Sequence, residues 1–215
     1  MRRITLTHRA AFVAIASTAG IASAQIGPDP ALIDAVAKLE PGTSIEENNS
    51  KFTLNRRDAG TKAADGWFRA SSAGGGFSVK LPGPISDETI LSEAEQGIHF
   101  ENNILFTVTG TTRFMVSCGK QDRFEFPAEI VPQMVGMLGN SSREFKSKPF
   151  TNGAISGLEY SGITAKNAYF VGHMFLLGKQ LCQVLVGSAS PFDGITPEIR
   201  AVFLSVQQTV DPKNR

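Results

Sequence analysis

Apolar and polar residues alternate along much of this chain, and the alternation predicts antiparallel strands. Phe77–Leu81 is apolar at every second position and is ended by Pro82, which cannot donate a ladder hydrogen bond. Residues 155–163, 168–177 and 181–186 are also predicted to be strands, and turn residues separate them. The last two strands are apolar on both faces, so we expect the sheet to be covered on both sides.

Two turns predict how strands pair. Asn102-Asn103 predicts a tight hairpin between residues 98–100 and 104–108, because Asn tolerates positive φ. Gly178-Lys179 predicts a two-residue turn before the strand 181–186. In the resulting register Leu177 lies opposite Gln180, Phe175 opposite Cys182, and His173 opposite Val184.

Three segments have apolar residues at helical spacing. The first begins at Asp29-Pro30 and ends at Pro41-Gly42, the second covers residues 128–145, and the third runs from the cap Thr196 to Gln207. The second has an apolar stripe of Ile130, Val131, Met134, Val135 and Leu138. This order of elements predicts an α+β fold, a mostly antiparallel central sheet with helices packed on both faces, in other words an α/β/α sandwich.

The first residues have the three parts of a secretory signal. Arg2, Arg3 and Arg9 precede an apolar run, and Ala22-Ser23-Ala24 predicts cleavage between Ala24 and Gln25. We therefore expect a cleavable signal peptide over 1–24 and a periplasmic or secreted protein with no transmembrane segment after processing. The remaining chain is predicted to form an N-terminal helix and polar arm over 25–66, one domain over 67–208 and a tail over 209–215.

Charge argues against a nucleic-acid partner. Removal of the signal peptide takes away three Arg and leaves 18 basic against 20 acidic residues. Nucleic-acid binders usually gather a basic excess on one face, because phosphate contacts drive their affinity. Here charges of both signs are interspersed, as in Glu46-Glu47 and Arg56-Arg57-Asp58. We expect no nucleic acid.

The chain has two cysteines, Cys118 and Cys182. In an oxidising compartment such a pair favours a disulfide. Two buried thiols that pack as small apolar residues are the alternative. Both cysteines lie in apolar strand-like runs, so the sequence leaves the two interpretations open, with a slight preference for the bridge.

Several short motifs occur in the order found in one known family. Residues 76–83 resemble the opening strand of PsbP-like domains, and residues 157–160, 169–186 and 203–205 follow in the order of that family. The resemblance covers residues 67–208. It implies a central antiparallel sheet flanked by helices, in an accessory or binding protein without a shared active site. The arm over 25–66 departs from the family pattern.

No motif predicts catalysis, a cofactor or a metal. Ser117-Cys118-Gly119-Lys120 matches S-x-x-K, but it ends a predicted strand, whereas that chemistry needs one helical turn. The two histidines of the mature chain, His99 and His173, lack the close-spaced partners of a zinc site. His173 is expected to be a core histidine with no identifiable acid to orient it.

The sequence therefore predicts an exported, non-enzymatic accessory protein of the bacterial cell envelope. We expect it to act through contacts with another envelope protein or complex, of unidentified kind. The alternative is a small-ligand carrier or weak hydrolase that uses a cleft between sheet and helix. The sequence does not indicate an oligomeric state.

Overall fold

The structure of the chain, a computed structural model, describes residues 35, 38–47, 49–94, 97–192 and 194–209. The predicted signal peptide, its cleavage point between Ala24 and Gln25, and most of the helix predicted after Asp29 lie outside these residues. The same holds for the tail beyond residue 209. The described part of the chain contains thirteen strands and two helices. In chain order they are β1 Ser44–Glu47, β2 Ser50–Ala59, β3 Thr61–Lys62, β4 Phe68–Ser71, β5 Phe77–Leu81, β6 Ile85–Ala94, β7 Ile98–Thr109, β8 Thr112–Gln121, α1 Ile130–Asn140, β9 Ser142–Asn152, β10 Ile155–Thr164, β11 Tyr169–Leu177, β12 Gln180–Ser188, α2 Pro197–Ser205 and β13 Gln207–Gln208.

Nine strands form one antiparallel sheet in the order β1-β2-β6-β7-β8-β12-β11-β10-β9. Most neighbours in it are consecutive in the chain and are joined by short turns. At the turn after β11, Gly178 has φ +60°, a conformation that glycine adopts without steric cost. The edge strands are β1, which has four residues, and β9, which has eleven.

A smaller sheet, in the order β13-β5-β4-β3, packs with α2 on one face of the large sheet. Their shared core contains Phe77, Leu105, Val116, Val184 and Phe203. On the other face α1 packs over β9, β10 and β11 through the stripe that ends at Leu138. The large sheet is therefore apolar on both faces at its centre.

The predicted α/β/α sandwich is wrong. Of the described residues 58% are in strands, and the two described helices have 11 and 9 residues. A four-stranded sheet, and not a layer of helices, makes up most of the second layer on one face. The prediction failed because β1, β2 and β6 are strands of polar sequence, so their alternation of apolar residues is weak.

The hairpin predicted at Asn102-Asn103 is also wrong. Both residues lie inside β7, which continues to Thr109 and turns at Gly110-Thr111. Asn103 is completely buried, with its side-chain amide hydrogen-bonded in the core. A buried amide that finds partners is compatible with a strand interior, and the turn signal of Asn is then overridden.

Other local predictions are confirmed. Phe77–Leu81 is β5, and the register of β11 on β12 places Leu177, Phe175 and His173 opposite the predicted partners. The five predicted stripe residues of α1 are its buried residues. Thr196 caps α2 by accepting a hydrogen bond from the Ile199 N–H at 3.2 Å.

Candidate functional site

An open cleft of about 1210 Å³ follows the ends of β1, β2, β6, β7 and β8. Consecutive residues such as Leu91 and Ser92 both line it, and neighbouring residues of a strand point to opposite faces. The cleft therefore runs along the strand ends and is not confined to one face. Its charged lining comprises two lysines and five carboxylates: Lys51, Lys120, Glu46, Glu47, Glu93, Glu101 and Asp122.

One row of side chains crosses the cleft from strand to strand. The register pairs Glu46 with Lys51, Lys51 with Leu91, Leu91 with Glu101, and Glu101 with Lys120. Directly opposite residues share a face, so the row alternates acidic and basic groups around one apolar residue. Leu91 is 44% exposed, and Lys120 Nζ lies 3.2 Å from Glu101 Oε2. The centre of this row is thus apolar and its sides are charged.

A chain of hydrogen bonds anchors Glu101 to the core. The Asn103 amide donates to Glu101 Oε1 at 2.9 Å and accepts from Thr89 Oγ1 at 2.9 Å. Thr89 in turn accepts from the Asn55 amide at 2.8 Å. Because each buried polar group finds a partner, the network fixes the side chain of Glu101 at the cleft.

Asp87 ties this network to the glycine-rich turn after β4. Its carboxylate is fully buried and accepts from Arg56 Nε at 2.9 Å and from the Ala73 N–H at 3.0 Å. A Cβ on Gly74 would lie 2.9 Å from Asn103 Oδ1, so the close approach of this turn requires glycine. Asp87 thus holds the turn at Ala73.

A second polar group lies under α2. His173 Nε2 is 3.2 Å from Glu159 Oε2, and Lys148 Nζ is 3.0 Å from the other oxygen of Glu159. Burial lowers the pKa of His173, and the Glu159 carboxylate partly offsets that effect. The pKa of Glu159 is lowered by its hydrogen bonds to Lys148 and His173, against the opposing effect of burial, which is the largest single contribution. The sequence missed Glu159 as the acid partner, because the register of β10 on β11 was not predicted.

The predicted histidines thus lie apart. His99 is exposed at the cleft, where Asp122 accepts a hydrogen bond from its backbone N–H at 3.2 Å, and the register pairs it with Glu93. The predicted hairpin at Asn102-Asn103 would instead have paired the strand of His99 with residues 104–108, which lie in the same strand β7. His173 is buried, as expected.

Ser117 and Lys120 cannot act together. Both belong to β8, and an odd separation along a strand places their side chains on opposite faces. Ser117 is buried and Lys120 lines the cleft. The S-x-x-K match therefore has no chemical meaning in this fold.

Cys118 and Cys182 form a disulfide. They lie directly opposite each other on β8 and β12, both fully buried, and their sulfur atoms are 2.08 Å apart. Of the two interpretations that the sequence left open, the bridge is the one found. It links β8, the central strand of the large sheet, to its neighbour β12.

Among the described residues no three His, Cys, Asp or Glu side chains are grouped so that they could hold a metal ion. No described helix is long and apolar enough to cross a membrane. In comparisons with protein-family models, curated proteins and solved structures, the chain matches none of them.

Glu88 gives the fold an unusual pH dependence. The register places it between Leu54 and Ile104, and burial, with a smaller effect of the Asp87 charge, raises its pKa from 4.5 to about 7. Between these two pKa values the fold therefore holds a proton that the unfolded chain releases, so the contribution of Glu88 to stability is full below pH 4.5 and is lost as the pH rises through 7.

We predict that Glu88→Gln makes the fold more stable than the wild type at pH 8, by up to about 3 kcal/mol, and has little effect near pH 4.5. The amide keeps the shape of the side chain without its charge. Urea unfolding of the wild type and Glu88→Gln at both pH values gives the difference in their free energies of unfolding. The contributions of the other titratable groups, which both proteins share, cancel in this difference. Glu93→Gln, at an exposed position of β6, is the matched control and should change neither value. Equal unfolding free energies of wild type and Glu88→Gln at pH 8 would contradict the prediction.

Proposed function

We propose that the chain is an exported, non-enzymatic binding protein of the bacterial cell envelope, and that it contacts another protein through the cleft. The observation that carries this proposal is the row across five strands. In it the exposed Leu91 lies between the pair of Glu46 and Lys51 on one side and the pair of Glu101 and Lys120 on the other. Protein–protein interfaces commonly combine an apolar centre with a polar, charged rim.

The charges of the cleft favour contact over chemistry. Glu101 and Lys120 already form an ion pair, and the Asn103 amide holds Glu101. Groups paired in this way do not present a free acid or base to a substrate. The small-ligand carrier or weak hydrolase remains the alternative, and it would need polar groups that converge on one enclosed point.

One expectation from the sequence supports the proposed compartment. The segment 1–24 has the pattern of a cleavable signal. The disulfide between Cys118 and Cys182 agrees with an oxidising compartment, where such bonds persist.

A photo-crosslinking residue placed at Leu91 tests the function. We expect one defined protein adduct when cells are irradiated, because Leu91 is at the centre of the row. Val108 provides the matched control: it is also a strand residue, is 49% exposed against 44% for Leu91, and points to the opposite face. No adduct is expected there.

The same sample reports on export. Mass spectrometry of the chain from the periplasmic fraction should show an N-terminus at Gln25. A chain that starts at Met1 in the cytosol would contradict the compartment. An exported chain with no adduct at position 91, or with equal adducts at both positions, would contradict contact through the cleft.

A further inference from the structure

The ring of His173 joins three elements of the fold. Its centroid lies 3.9 Å from that of Phe150 on β9 and 4.0 Å from that of Phe203 on α2, so two phenylalanines flank it. Glu159 on β10 reaches its Nε2 atom. The imidazole ring is therefore buried between β9 at the edge of the large sheet and helix α2.

The segment that packs on this ring is short and contains the last two elements that the structure describes. Helix α2 has nine residues and buries Ile199, Val202 and Phe203. After it, β13 adds two residues to the edge of the small sheet beside β5. Short helices are held by tertiary packing and not by their own propensity, so α2 depends on the surface beneath it.

Few charges face the imidazole. Lys148 comes from β9 and Glu159 from β10, whereas the partner from β12 is Val184 and the contact from α2 is Phe203, both apolar. The charged residues of α2, Glu198 and Arg200, are exposed. Glu159 is thus the one described side chain that can pair with a positive imidazole, and Lys148 already occupies its other oxygen.

We propose that Pro197–Gln208 is a pH-sensitive latch, which stays docked while His173 is neutral and opens more often when the ring takes up a proton. A charged imidazole is costly to keep between two phenylalanine rings away from water. When α2 lifts, the ring gains water and the cost disappears. Acid therefore selects the open state by linkage.

The direction in which the His173 pKa is shifted decides whether acid opens or closes the latch. Burial lowers it below its ordinary value of 6.5, so the docked state binds the proton less well than the open state does. If the docked state takes up no proton, the open fraction rises at most about tenfold between pH 7.5 and pH 5.5. Above pH 7.5 no further change is expected.

Hydrogen exchange of the mature protein tests the latch. After correction for the intrinsic exchange rates, we expect protection of the α2 amides to fall several-fold from pH 7.5 to pH 5.5, while that of α1 changes little. His173→Phe keeps an aromatic ring in the stack but cannot titrate, so its α2 protection should not depend on pH. The matched control His99→Phe removes an exposed histidine and should behave as the wild type.

A second measurement does not depend on the variants. Titration of the His173 ring in the wild-type protein by NMR should give a pKa below 6.5, the ordinary value of a histidine. A value above it would show that Glu159 and the two aromatic rings favour the charged form, and it would overturn the proposal. Equal α2 protection at the two pH values, or a pH dependence that survives in His173→Phe, would overturn it as well.

Discussion

Replacing Cys118 and Cys182 together by alanine should lower the free energy of unfolding by about 4 kcal/mol. The disulfide closes a loop with a sequence separation of 64 residues, and the chain-entropy model assigns a loop of that length roughly this contribution. Single domains have total stabilities of about 5–15 kcal/mol, so we expect the double variant to be marginally stable. Urea unfolding of the oxidised wild type and the double variant measures the difference.

The volume lost at two fully buried positions also contributes, and a second variant separates it. Cys118→Val with Cys182→Val fills the space without forming a bond. If this variant is still about 3–4 kcal/mol less stable than the wild type, the bond is responsible. A valine variant as stable as the oxidised wild type would contradict the entropic account and show that the β8–β12 ladder suffices.

Asp87→Ala should cost about 3 kcal/mol, because it removes a fully buried acceptor from several donors and a buried donor left unpaired costs about 1–3 kcal/mol, while the half-exposed Arg56 can turn to water. Asp87 is fully buried and accepts hydrogen bonds from Arg56, from the Ala73 N–H and from Asn55. Its removal leaves these donors without their acceptor and frees the turn that covers Asn103. Thermal or urea unfolding measures the loss, and proteolysis within residues 72–76 reports the turn.

Asp65→Ala is the matched control. Asp65 also pairs with a basic residue, Lys80, but it is about half exposed. Solvent screens exposed ion pairs and they contribute little to stability, so this variant should unfold almost as the wild type does. Similar losses for Asp65→Ala and Asp87→Ala would contradict the argument that burial makes the Asp87 network important.

The elements that the sequence predicted correctly are those whose signal is local. Phe77–Leu81 alternates cleanly because one of its faces meets the core, and Pro82 ends it. The register of β11 on β12 followed from one two-residue turn at Gly178. The stripe of α1 followed from its spacing. None of these predictions required knowledge of distant parts of the chain.

The strands that were missed have polar core faces. In β6, Asp87 and Thr89 point into the structure and are satisfied by Arg56 and Asn55 of β2. Asn103 of β7 belongs to the same network. Such residues look like loop residues until their partners are known, and the partners are up to 34 residues away in the chain.

The candidate sites could not be assembled from the sequence for the same reason. The row of the cleft draws residues from five strands, so it appears only after four registers are known. The pair of Glu159 and His173 depends on the turn around Asn167, which has φ +62°. Because the sequence did not predict the length of that turn, it did not show which residues of β10 and β11 lie opposite each other.

The long edge strand β9 bears on how readily this protein aggregates at high concentration. A nine-stranded sheet that does not close leaves a row of backbone groups at each edge, and pairing of such an edge with the sheet of another molecule is how intermolecular β-fibres start to grow. Pro149 removes a donor in the middle of β9, and Lys146 and Lys148 place charge beside it. These three residues therefore discourage the pairing of β9 with a strand of a second molecule.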